Sequence, residues 1–94
     1  MIKQNKLQTK VFRLIRKKDF LTALELIEQE RLYAKNSSIY YALYGIIHIY
    51  MKRLHEAKLF IDKAIAINPV DTLALNGRAF ILLEENKLNA AIQV

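Results

Sequence analysis

The sequence predicts an all-α fold in which pairs of helices recur at a fixed interval. Three observations point to it. First, only two Gly and one Pro interrupt a chain of 94 residues that is 53% hydrophobic, a composition poor in turns and too apolar for disorder. Second, apolar residues return at helical spacing along most of the chain. Third, Ala23, Ala57 and Ala91 stand 34 residues apart, as do Phe20, Leu54 and Leu88. Such a period fixes the architecture ahead of local propensity, because each unit can bury its apolar face only against its neighbours.

The elements follow in order. A first helix over about 4 to 17 carries Lys3, Lys6, Lys10, Arg13 and Lys17 within an arc of roughly 80°. Lys17-Lys18-Asp19-Phe20 turns the chain into a second helix, about 20 to 34. Asn36-Ser37-Ser38 supplies N-cap side chains for a third, about 38 to 51, which is apolar on several faces and is therefore expected to be contacted from more than one side. Met51-Lys52-Arg53-Leu54 repeats the first turn, and a fourth helix, about 54 to 67, ends before Pro69. Asp71-Thr72 caps a fifth, about 72 to 85, and Glu85-Asn86-Lys87-Leu88 is expected to turn into a sixth from 88 to 94. One domain of units 4–37, 38–71 and an incomplete 72–94 accounts for the chain.

The middle unit carries Tyr41, Tyr44-Gly45, His48, Leu54, Ala57, Ile61, Ala64 and Pro69. It resembles the tetratricopeptide repeat (TPR) family, with His48 and Ile61 standing where the family has aromatics. The first unit departs further: Lys10-Val11 replaces Leu-Gly, Glu30 the second Ala and Lys35 the Pro. The resemblance implies a right-handed antiparallel helix-pair solenoid of about three TPR units that binds protein and performs no catalysis. Gly45, Ala57, Ala64, Ala79 and Ala91 fit where helices approach most closely, since larger side chains would overpack by about 1 to 3 kcal/mol.

Carried over position by position, the family's concave groove would be lined by Phe12, Ile15, Ile39, Ala42, Leu43, Ile46, Ile49, Tyr50, Leu73, Phe80 and Leu83, with Gly77 among them. The set lacks the Lys, Asn and Arg with which some relatives clamp a C-terminal carboxylate. It suits the apolar stripe of an amphipathic helix. The alternative for any of these residues is contact with the next helix.

Repeat count, apolar groove and incomplete last unit further resemble the small repeat-containing chaperones of type III secretion needle subunits. That resemblance implies an amphipathic helix of a needle-type subunit as partner, a small helical co-chaperone and a bacterial cytoplasmic location. A generic repeat scaffold remains the alternative. Because the third unit stops early, Leu82, Leu88 and Ile92 are expected to be covered by a partner or by self-association.

The basic residues are unevenly placed. Lys3, Lys6, Lys10, Arg13, Arg16, Lys17 and Lys18 are seven of the fifteen and all precede the first acid, Asp19. A solvated face, an acidic partner or an anionic membrane surface would each account for such a stripe. Nucleic acid is not expected: Tyr41 and Tyr44 belong to the repeat pattern, and the cations lie in another unit. His55-Glu56 has Leu59 where a zinc helix needs its second His, and the two Gly are isolated. His48 has no Ser or carboxylate at catalytic spacing. No catalytic residue, metal ligand or cofactor is nominated. The chain has no Cys, and no apolar run long enough to span a bilayer is expected.

Overall fold

The computed structural model describes residues 4–31 and 36–93, with side chains at 6–31 and 36–87. Its helices are α1 (Gln4–Arg16), α2 (Phe20–Gln29), α3 (Ser38–Tyr50), α4 (Leu54–Ile67) and α5 (Thr72–Gln93), with no strand among the described residues. The fold is all-α.

Side chains next to each break set where helices begin. The Asp19 carboxylate accepts the Thr22 N–H at 3.3 Å and opens α2, and the Ser37 hydroxyl accepts the Tyr40 N–H at 3.3 Å to open α3. Asp71 accepts the N–H groups of Leu73 and Ala74 at 2.9 and 3.4 Å and opens α5. Each cap satisfies donors that a helix leaves unpaired at its start.

The ends of α1 and α3 are copies of one another. Lys18 and Lys52 adopt left-handed backbone, φ 60° and 64°, and their N–H groups donate to the carbonyls of Ile15 and Ile49. The following N–H groups, of Asp19 and Arg53, reach back to Leu14 and His48. Both are Schellman endings, and every partner in the second lies 34 residues after its counterpart in the first.

The third turn does not form. α5 runs without a break through Glu85-Asn86-Lys87-Leu88 to Gln93, so the separate helix expected from 88 is absent among the described residues. A left-handed residue gives up helical hydrogen bonds. It persists at Lys18 and Lys52 because the following helix packs back, α2 on α1 and α4 on α3. Residues 88–93 form fewer than two turns, too few to hold a reversal by themselves. α2 is also shorter than expected, closing at Gln29 with Glu30 as its cap.

Packing follows from α3, which is apolar on all sides and touches α1, α2, α4 and α5. The odd-numbered helices form a continuous layer, α1 on α3 and α3 on α5, and each even-numbered helix lies between two of them. Tyr40, Leu43 and Ile47 are among the largest fully buried side chains. The buried Ser38 hydroxyl donates to the Asp71 carboxylate, which ties the start of α3 to the cap of α5.

Ile61 interlocks three helices. A Cβ added at Gly45 in α3 would lie 2.7 Å from its side chain, and one added at Gly77 in α5 would lie 2.6 Å from it. The constraint is stricter at Gly45, where the Ile61 branch and the Ala57 carbonyl oxygen at 3.1 Å both crowd the site; at Gly77 the close atom is the tip of the flexible Ile61 side chain. Gly77, expected along the groove, is therefore buried packing.

Candidate functional site

The expected groove is largely filled. Ile15, Ala42, Leu43, Ile46 and Ile49 are buried in the core, so these five cannot line an open surface. The cause is the number of helices around α3: its groove-side residues lie under α5, and the Ile46 side chain stands beside Gly77. Phe12, Ile39 and Leu73 are half-buried and pack against the same core. Tyr50, Phe80 and Leu83 are exposed; the Tyr50 ring stacks on Phe20 with centroids 6.4 Å apart.

What remains open becomes clear from comparing α3 with α5 position by position. Tyr41, Ile46, His48 and Ile49 are 9, 5, 7 and 6% exposed, whereas Leu75, Phe80, Leu82 and Leu83, each 34 residues later, are 43, 49, 55 and 56% exposed. The apolar character is the same and the cover differs. In α3, the ammonium of Lys63 lies 4.5 Å above the Tyr41 ring, and Phe60 lies 5.3 Å from the His48 ring and 4.2 Å from the Tyr44 ring on which His48 stacks. Those covering residues come from α4. α5 has no described helix in the corresponding place.

On the helical wheel Leu75, Ala79, Leu82 and Asn86 fall within about 60° of arc, and Ala74, Gly77 and Ile81 fall within a similar arc on the far side. The second set is buried against α3 and α4, and the first faces outward. Leu83 and Phe80 extend the outward stripe along one flank. On the other flank Arg78 and Glu85 join Lys58, Asp62, Ile61, Ile81 and Leu82 in lining a cleft between α4 and α5. Exposed apolar side chains gathered on one helix face mark a contact surface rather than ordinary scatter.

The site is held in place by polar ties. Glu84 pairs with Lys52 at 3.7 Å and with Lys87 at 3.3 Å, and Glu85 pairs with Lys58 at 3.8 Å. The hydrogen bond from Lys87, followed by the charge of Lys52, holds the Glu84 carboxyl below its ordinary range. Between α2 and α3 the Tyr44 hydroxyl donates to the exposed Glu28 carboxylate at 2.7 Å. Burial first, and then that hydrogen bond, push the Tyr44 hydroxyl up to about 12.

The opposite end of the molecule is basic. Lys6, Lys10, Arg13 and Lys17 are exposed; Lys6, Thr9, Lys10 and Arg13 line one shallow cleft, and Lys10 and Arg13 flank another floored by Leu14 and Leu26. Lys3 lies outside the described residues. Among the described residues no cluster of three His, Asp or Glu is placed to hold a metal ion, and no helix is long and apolar enough to cross a membrane. Comparison with family models, curated proteins and solved structures finds no match.

Leu82 is exposed, as expected of a residue in need of cover, while Leu88 and Ile92 have side chains outside the described residues. Groove reasoning missed Leu75 as a surface residue, although it lies one period after Tyr41.

Proposed function

We propose that the chain is a tetratricopeptide-type protein-binding module whose docking surface is the outward face of α5, and not an enzyme. One observation carries the reading: the positions that α3 buries beneath a following helix remain apolar and uncovered in α5. The 34-residue recurrence of the Schellman endings and the layered order of the odd-numbered helices support the repeat assignment. An amphipathic helix suits the face better than an extended peptide, because Leu75, Ala79, Leu82 and Leu83 offer a stripe at helical spacing and no unpaired strand edge. Within this reading the partner class is the amphipathic helix of a needle-type secretion subunit, accompanied by a small helical co-chaperone, in the bacterial cytoplasm. The exposed apolar stripe of α5 is what favours that class over a generic scaffold.

A synthetic amphipathic helix of about 20 residues, with Leu at the a and d positions, tests the surface. Titration by fluorescence anisotropy should show binding that Leu75→Glu and Leu82→Glu each weaken by about 10- to 100-fold, the loss of one buried leucine. Circular dichroism should remain that of the parent. Equal affinity in parent and variants would remove the α5 face from the function.

A further inference from the structure

The basic side of α1 is a second surface, and the floor beside it narrows what it accepts. We infer that the cleft between α1 and α2 docks an acidic amphipathic helix of a partner protein. Carboxylates of that helix pair with Lys10, Arg13 and Lys17, and one apolar side chain rests on Leu14 and Leu26. This site is separate from the α5 face and does not depend on it.

Lys10 and Arg13 flank a cleft floored by the half-buried Leu14 and Leu26, one from each helix. Lys17 stands on the same exposed stripe, one turn beyond Arg13. These three cations make no ion pair among the described residues. Nor does any carboxylate among those residues line this cleft or its neighbour along α1. On α2, Glu28 is engaged by the Tyr44 hydroxyl. Any element laid over Lys10, Arg13 and Lys17 therefore has to bring carboxylates of its own, because charges taken out of water unpaired disfavour the contact.

The apolar floor separates a protein partner from other anions. A phosphate group or a polyanion would meet the cations and gain nothing from Leu14 and Leu26. An anionic membrane is held by apolar side chains that reach the acyl boundary, and α1 has no exposed large hydrophobic residue among those described. Single-stranded nucleic acid stacks its bases on aromatic rings, and among the described residues neither cleft is lined by one. An acidic helix meets both demands. Lys10 and Lys17 lie about 10 Å apart along α1, two helical turns, so carboxylates repeated at each turn of the partner face all three cations. A leucine beside those carboxylates reaches the floor.

Fluorescence anisotropy of the full chain, titrated into a labelled synthetic helix with Glu at three successive turns and one Leu beside them, tests this. Binding is expected at low salt, weakening about tenfold at physiological salt. Lys10→Ala and Arg13→Ala should each weaken it about 3- to 10-fold, and a peptide with Ser in place of its Leu should bind about tenfold less tightly. Leu82→Glu, on the α5 face, should leave it within about twofold of the parent. No binding, or equal binding of the Leu and Ser peptides, would overturn the inference. Tighter binding of inorganic polyphosphate, a single-stranded oligonucleotide or phosphatidylserine vesicles than of the peptide would overturn it as well. Binding that Leu82→Glu abolishes and Lys10→Ala and Arg13→Ala leave unchanged would remove the α1 site and support the α5 surface instead.

Discussion

The two ends of the array are built from opposite chemistry on the same backbone plan. Along α1, Lys6, Thr9, Lys10 and Arg13 stand one period before residues that α3 buries or half-buries; along α5, Leu75, Ala79, Leu82 and Leu83 stand one period after residues that α3 buries beneath α4 and α5. The first face is charged and the second apolar. The helix count does not distinguish them, because α1 and α5 both contribute the outermost member of the odd-numbered layer. A repeat thus acquires direction from which face of its terminal helix is allowed to be wet.

The largest test contrasts a residue inside the array with its copy at the open end. Ile46 and Phe80 hold the same place in successive units but are 5 and 49% exposed. Ile46→Asp should destabilise by on the order of 4 kcal/mol, combining a lost core side chain with an unpaired buried charge. Phe80→Asp should cost about 1 kcal/mol or less, as expected for a surface position. Urea melts of both variants decide it; similar losses would mean that α5 is as covered as α3.

A second experiment inverts the charged face. Giving α1 the residues of α3, through Lys10→Tyr and Arg13→Ile, replaces two cations by apolar side chains on that face. Such a chain should assemble head to tail, with mass increasing beyond two copies as concentration rises, because an apolar patch complementary to a surface elsewhere on the molecule produces open contacts. Light scattering that reports the parent's mass would show that charge is not what keeps this face from stacking.

The smallest effect concerns the contact between α2 and α3. Tyr44 keeps its proton to about pH 12 in the fold but ionises near 10 when unfolded, so between those values the unfolded chain gives up a proton that the folded chain retains. Its contribution is present below pH 10 and is lost as pH rises toward 12. In stability measured against pH, Tyr44→Phe should therefore remove part of the parent's decline across that window, and identical slopes would mean that burial and Glu28 do not perturb the hydroxyl.

Much of the fold could be read in advance because its signals are local. Asp19, Ser37 and Asp71 cap helices by side-chain chemistry that needs no tertiary information, and the turns at Lys18 and Lys52 lie at one spacing. Asn86 holds the same place in the third unit, and Asn accepts left-handed backbone more readily than Lys. The helix nevertheless continues, since a reversal is retained by what packs after it and residue type alone does not supply that. The groove was misjudged for a related reason. Periodicity shows that Ile39, Ile46 and Ile49 share a side of α3; it does not show how many helices lie over that side. Lys6, Lys10, Arg13 and Lys17 were easier, because charge placed on one stripe seldom belongs inside.

Ile61 also constrains how this chain can change over time. Its side chain fills the space that a Cβ would need at both Gly45 and Gly77, so the three positions form one inherited unit and not three independent sites. Alanine entering at either glycine while Ile61 is present meets a carbon less than 3 Å away, and a smaller residue at 61 facing two glycines leaves a void. Lineages descending from this sequence should therefore alter position 61 in step with 45 and 77, and chains carrying only one of those changes should be rare.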